Sequence, residues 1–238
     1  RMLRSIYNRG VDMHQAPYVH GLFRDVFTGV DTRQKKAIPI GELHMLLNKD
    51  PQSEKLRRTQ AIANLLFQFC GMPFSDLAHL EKSNLERGLL KYNRTKTGTP
   101  MSIEVLESAQ NAIGGLYNKS DARSSGYPDY LFRILSGAYK RNEEGAYREY
   151  QSALRRFNNE LKSLSRKLRL HSPVTSYTLR HSWATTAKYR GVPIEMISES
   201  LGHKSIKTTQ IYLKGFELEE RTKVNKLNYS YVCNFKML

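Results

Sequence analysis

Between residues 145 and 169 the side chains Tyr147, Tyr150, Leu154, Phe157, Leu161, Leu164 and Leu168 recur at steps of three and four. That spacing returns to one side of a 3.6-residue helix and cannot line one face of a strand, so it predicts a helix of about seven turns with a single apolar stripe. The other sides carry Arg148, Arg155, Arg156, Lys162, Arg166 and Lys167. A heptad of this kind also fits a coiled coil, but three repeats are too few to prefer one, and the stripe reads as the core face of a globular helical fold.

The rest of the chain is punctuated in the same way. Leu3, Ile6, Tyr7 and Val11 put a helix in residues 1–14, which reads as the end of an upstream domain in a longer protein. Residues 15–37, with Pro17, Gly21, Gly29 and the basic run Arg33-Gln34-Lys35-Lys36, read as a linker. A short helix follows Pro39 and ends near Asn48. Another starts at Ser53, carries Ile62, Leu65, Leu66 and Phe69, and stops at Gly71. Pro73 opens a short helix bearing Leu77 and Leu80. Residues 105–117 read as helix and 118–128 as loop. Three short helices close the pattern: one from Ser176 through Trp183 to Arg190, one from Pro193 to Gly202, and one from Ser205 through Tyr212. The period falls to two only at 89–105, where a turn at 97–100 separates two strands and puts Arg94 and Lys96 on one strand face. The fold class is therefore mainly α, with a small antiparallel β-sheet at the edge. A globular domain spans 38–215, and a tail, 216–238, opens charged and ends in a strand-like aromatic run at 229–235.

Charge narrows the partners. Thirty-eight Lys and Arg against 22 Asp and Glu leave a formal charge of +16. That excess favours a polyanion, nucleic acid ahead of a membrane surface, and its spread through the helices describes a folded basic face rather than a tether. The hydrophobic share, 39%, suffices for a core. No window of 18 residues is continuously apolar, and the N-terminus has no signal-peptide pattern. Two cysteines, Cys70 and Cys233, build neither a disulfide framework nor a metal cluster, which fits a reducing interior.

Three residues near the C-terminus could do chemistry together. With Ser176 as N-cap, Arg180 falls in the first turn of its helix, a ready anion site. His203 follows Gly202 at a helix break, where a side chain can point into a cleft. Tyr212 lies nine residues on. A phenol is a poor nucleophile at neutral pH, but it becomes effective against phosphorus when cations surround the phosphate.

Taken in order, these residues resemble the tyrosine site-specific recombinases of the phage-integrase family. The resemblance is carried by Tyr177-Thr178-Leu179-Arg180-His181, then Leu201-Gly202-His203, then Thr208-Thr209-Gln210-Ile211-Tyr212. The step of 23 from Arg180 to His203 and of nine to Tyr212 both fit the family. Upstream, "GMPFSDLAHL" from Gly71 resembles its first box and "YNRTKTG" its lysine-bearing hairpin. The resemblance implies the tyrosine-recombinase catalytic fold over 38–215, with 1–14 the end of a core-binding domain. It also implies that Tyr212 attacks a DNA phosphodiester to give a 3′-phosphotyrosyl link, that Arg180 and His203 hold the nonbridging oxygens, and that Lys96 protonates the leaving 5′-oxygen. No cofactor or metal is implied. The implied setting is the bacterial cytoplasm and nucleoid, with integrases and invertases of mobile elements closest in texture. The implied partners are double-stranded recombination sites, further copies in a tetramer on DNA coupled through exchanged tails, and DNA-bending accessory proteins, with no membrane.

Two positions depart from the family pattern. Pro73 stands where the first box carries an arginine, and Tyr177 stands where the second opens with histidine. Arg94 is a candidate substitute for the missing guanidinium, the alternatives being a DNA-backbone contact or a solvated strand residue, and Tyr177 is either a hydroxyl donor at the site or a packed aromatic. Asp76 resembles the first box's acidic residue, which braces an arginine. Rival readings stay open: a regulator using 193–201 and 205–214 as a helix-turn-helix, a degenerate recombinase that binds without cutting, and a type IB topoisomerase.

Overall fold

The computed structural model describes residues 2–26, 37–120, 126–213 and, in the tail, 222–223, 225–227 and 229–230. The basic run 33–36, part of the expected loop at 121–125 and the end of the aromatic run at 231–235 lie outside the described residues.

Residues 1–34 form a unit of their own. Helix α1, Met2–Asp12, buries none of its residues, yet the segment after it folds back onto it. The Tyr7 hydroxyl donates to the Pro17 carbonyl at 2.7 Å and accepts from Val19 N–H at 2.7 Å. Its ring meets Phe23 edge-on at 5.6 Å.

In the larger unit the apolar stripes converge on one helix. Helix α3, Glu54–Gln68, buries Ile62, Leu65 and Leu66. It packs against α5 (Glu107–Leu116), α6 (Glu144–Lys167) and α7 (Ser176–Tyr189). Helix α2, Ile40–Asn48, ends against α3, whose Gln60 and Asn64 amides donate to the Leu46, Lys49 and Leu47 carbonyls. Those carbonyls have no partner within their own helix, so the bonds satisfy the end of α2 and orient it.

The long stripe is present but runs differently at its start. Ala146, Ala153, Phe157, Leu161 and Leu164 are buried, whereas Tyr147 is 64% exposed. The seam passes through Ala146, Tyr150, Ala153 and Phe157, at steps of four, three and four, so the small alanine and not the aromatic faces inward. The six basic side chains of α6 are exposed.

The sheet is small and antiparallel, in the order β1 (Leu85–Glu86), β2 (Leu89–Asn93), β3 (Pro100–Glu104). The expected hairpin is β2–β3, in the register Leu90 to Ile103 and Tyr92 to Met101. Strand β2 stops at Asn93, before Arg94 and Lys96. Arg94 N–H donates to the Thr99 carbonyl and Gly98 N–H to the Arg94 carbonyl, so the turn begins there. Arg94 still follows the inward side of Leu90, while Lys96 is exposed in the turn; the two do not share a strand face.

Helix α4, Phe74–Ala78, begins after Pro73 as expected, and α8 (Ile194–Ser200) and α9 (Ile206–Tyr212) close the fold. A second small core of Ala184, Ile197 and Leu201, with Trp183, Val192 and Leu213 against it, binds α8 to α7. In the tail, residues 229 and 230 are helical, not the opening of a strand.

Candidate active site

The N-cap of α7 is Thr175, one residue before the position expected. Its hydroxyl accepts from Thr178 N–H at 3.2 Å, and the Thr178 hydroxyl accepts from Thr175 N–H at 2.8 Å. Arg180 is therefore the fifth residue of α7, beyond the turn whose N–H groups could hold an anion. What places it is burial: it is 3% exposed. Its Nη1 donates to the Gly71 carbonyl at 2.8 Å and its Nη2 to the Leu201 carbonyl at 2.6 Å. Nη2 also lies 3.2 Å from His203 Nε2.

Two glycines make these main-chain acceptors available. Gly71 has φ +65°, and a Cβ there would lie 3.2 Å from the Arg180 Cα and 3.2 Å from the Trp183 Cβ. Gly202 has φ +63°, and a Cβ there would lie 2.7 Å from Met101 Sδ and 3.0 Å from Arg94 Cγ. Each position needs left-handed backbone and the close approach of a neighbour, and glycine alone supplies both without strain.

Arg94 reaches the same place from the hairpin. It is 7% exposed, and its Nη1 donates to the Leu201 carbonyl that Arg180 also engages. Its Nε lies 2.8 Å from Asp76 Oδ2. The pair is close but not aligned as a hydrogen bond, so its attraction is mainly charge on charge. Asp76, 2% exposed, also accepts through Oδ1 from Thr95 N–H at 3.2 Å and from the Ser75 hydroxyl at 3.3 Å. The Arg94 Nη2 has no hydrogen-bond partner among the described residues. Two guanidinium groups thus converge on one carbonyl, and Asp76 offsets the charge of Arg94.

His203 stands beside them, half-buried at the start of the α8–α9 turn, with its N–H on the Ser198 carbonyl at 3.0 Å. Its pKa is lowered to about 4, first by burial and then by Arg180, Arg94 and Lys96. The ring is therefore neutral at pH 7. Lys96, in an exposed turn, adds to that lowering.

Tyr177 is 42% exposed, with its ring edge-on to buried His181 at 4.6 Å. Tyr212 is the last residue of α9. Its phenol lies outside what the structure describes. Sequence reasoning missed three neighbours of these groups: the Leu201 carbonyl, Thr209, whose buried hydroxyl is 2.8 Å from His203 Nδ1, and Tyr92. Burial pushes the Tyr92 phenol up and Asp76 adds to the rise, while Arg94 and Arg180 oppose it. The only signals for them in the sequence were the glycine after Leu201, the second threonine of Thr208-Thr209 and the inward parity of β2.

The sequence profile of the phage integrase family matches residues 40–218. The chain belongs to the phage integrase family. Among curated relatives it is 28% identical over 204 residues to a probable integrase/recombinase protein of Methanocaldococcus jannaschii, covering 83% of this chain and 58% of that one. It is 30% identical over 190 residues to the tyrosine recombinase XerD of Halalkalibacterium halodurans, covering 76% of this chain and 57% of that one. The chain thus spans rather more than half the length of these relatives. Among solved structures, XerA recombinase aligns with a TM-score of 0.57 at 21% identity, over 89% of this chain and 68% of that one. The Tn1549 transposon integrase, solved with circular intermediate DNA, aligns with a TM-score of 0.60 at 16% identity, over 94% and 77%. The fold is that of the tyrosine recombinase catalytic domain, mainly helical with a small antiparallel sheet.

Proposed function

We propose that this phage integrase family member cleaves and rejoins DNA at specific sites through a 3′-phosphotyrosyl intermediate on Tyr212. The observation that carries the reading is the convergence of Arg94, Arg180 and His203, from the hairpin, α7 and the α8–α9 turn, beside the helix that ends in Tyr212. Buried guanidinium groups held by main-chain carbonyls are preorganised for a charge that grows during reaction, so they stabilise a phosphorane without rearranging. Arg180 and Arg94 take the nonbridging oxygens. Tyr212 Oη gives up its proton to solvent and bonds to phosphorus as the bond to the 5′-oxygen breaks, and Lys96 protonates that oxygen. Tyr177 lends a hydroxyl at the rim. Phosphotyrosine conserves the energy of the broken ester, so the 5′-hydroxyl of another strand can reverse the step.

Pro73 motivates a second reading, a recombinase that binds without cutting. Arg94 counts against it, because it pairs with the first-box acid Asp76 and supplies the guanidinium which that box lacks. The helix-turn-helix reading fits less well, since His203, in the turn between α8 and α9, contacts Arg180 of α7.

The exposed basic face of α6 serves DNA phosphates, and residues 216–238 reach a neighbouring copy to build a tetramer on DNA. Mobile-element DNA in the bacterial cytoplasm, with accessory bending proteins, is the matching setting; no described helix is long and apolar enough to cross a membrane. The test is a duplex nicked near its cleavage position, which traps the covalent adduct. Tyr212→Phe should abolish the adduct and leave DNA binding intact. An adduct that survives the substitution would overturn the proposal.

A further inference from the structure

Helix α9 carries a buried hydroxyl to which the chemistry described above assigns no role. Thr209 is 0% exposed, and its Oγ1 lies 2.8 Å from His203 Nδ1. On the opposite side of the ring, Nε2 lies 3.2 Å from Arg180 Nη2.

These two contacts together determine where the ring proton sits. A guanidinium has donors only and no lone pair. At the Arg180 contact Nη2 must therefore donate and Nε2 must accept. A proton on Nε2 would point N–H at N–H, which is repulsive. A neutral imidazole carries one proton, so it resides on Nδ1, and Nδ1–H donates to the Thr209 oxygen. Among the described residues the charged groups that act on the ring, Arg180, Arg94 and Lys96, are cationic and oppose a second proton.

We propose that Thr209 is a positioning residue: by accepting the Nδ1 proton of His203 it fixes that ring as the Nδ1–H tautomer and presents the Nε2 lone pair toward Arg180. This rests on the reading of Arg180 and His203 as the reacting centre. It departs from the expectation that His203 holds a nonbridging oxygen, because a ring in this form can accept a proton at Nε2 and cannot give one to a phosphate oxygen from that atom. Thr209 stands three residues before Tyr212, so the hydrogen bond that orients the ring also ties down the helix bearing the nucleophile. Thr209 is fully buried, so bulk solvent does not reach its hydroxyl.

The test uses the full chain with ¹⁵N-labelled histidine, and His203→Gln identifies the His203 signals. At pH 7 the ring should show a protonated Nδ1 and an unprotonated Nε2. Thr209→Val, nearly isosteric but lacking the acceptor, should lose that preference and leave a buried N–H unsatisfied. Adduct formation on the nicked duplex should slow about 10- to 100-fold with DNA affinity unchanged. Thr209→Ser keeps the oxygen and should restore the tautomer, with a rate within about threefold of the parent. A parental ring protonated at Nε2 would overturn the proposal, and this result stands even if Thr209→Val does not fold. So would a Thr209→Val protein that keeps the Nδ1–H form, or one that cleaves at the parental rate. The spectra read the tautomer without cleavage. If the parent forms no adduct, the recombinase reading fails and the tautomer assignment is judged separately.

Discussion

Removing Arg94 should do two separable things, and their sizes follow from its surroundings. Arg94 and Asp76 are buried to 7% and 1% side-chain exposure at 2.8 Å. Deleting one partner of such a pair leaves an uncompensated buried charge, at a cost of about 3–5 kcal/mol. In a domain of this size each kcal/mol lowers Tm by roughly 2–4 °C, so Arg94→Ala should melt about 6–20 °C below the parent. Removing Asp76 as well removes the orphaned charge, and Arg94→Ala/Asp76→Ala should recover much of that loss. Catalysis should not recover with it. One preorganised donor lost from a developing oxyanion costs about 10²–10³ in rate, and neither alanine restores it. Arg94→Lys is the sharper variant. Its ammonium can pair with Asp76, but it lacks the fork that would engage Asp76, the Leu201 carbonyl and a phosphate together. We expect a modest fall in Tm and a loss of adduct formation on the order of a hundredfold, with DNA affinity little changed. The assays are thermal unfolding and single-turnover formation of SDS-resistant adduct on the nicked duplex. An Arg94→Ala/Asp76→Ala protein that is folded and cleaves at the parental rate would refute the reasoning.

Three further outcomes are expected. Gly202→Ala forces a side chain into left-handed backbone 2.7 Å from Met101 Sδ, and urea unfolding should show a loss of about 1–3 kcal/mol with adduct formation reduced as Arg94 shifts. His203 has a folded pKa of about 4, below the 6.5 of an exposed histidine, so protonation favours the unfolded chain. Its contribution to stability is complete above pH 6.5 and is lost as pH falls toward 4; unfolding curves of the DNA-free protein and of His203→Gln should therefore converge at low pH. Duplex affinity should fall with salt at a log–log slope of about −0.9 per phosphate neutralised, and reversing Arg155, Arg156 and Lys162 to Glu should flatten that slope.

The sequence makes the helical part of this fold legible because each helix carries its own apolar stripe and its own stop. Leu65, Leu66 and Phe69 before Gly71, and Leu179 before Gly191, are local signals, and the elements stand where those signals put them. The misses lie where neighbours decide. Strand β1 has two residues, too few to show a period, and exists because Leu85 pairs with Leu90. Tyr147 reads as core by type, yet it is 64% exposed and Ala146, one position earlier, is the buried residue. The alternation through Lys96 ends at Asn93 because the Arg94 main chain is already closing the turn.

The candidate site divides along the same line. Its side chains are legible from spacing, but the groups that hold them are main-chain carbonyls, which have no letter of their own. Gly71 and Leu201 accept from Arg180, and Leu201 accepts from Arg94, and in the sequence only Gly71 and Gly202 mark the places where the backbone turns to offer them. The first box shows why this matters. Read as letters it has proline at 73 where the family resemblance leads one to expect arginine, which argues for a protein that only binds. Read as geometry it has kept its acid: Asp76 is buried 2.8 Å from a guanidinium that arrives from the hairpin. A buried carboxylate without a cation is expensive, so the loss of either Asp76 or Arg94 leaves the other as an uncompensated buried charge. Pro73, just before α4, offers no positive charge to Asp76, and the hairpin supplies one through Arg94.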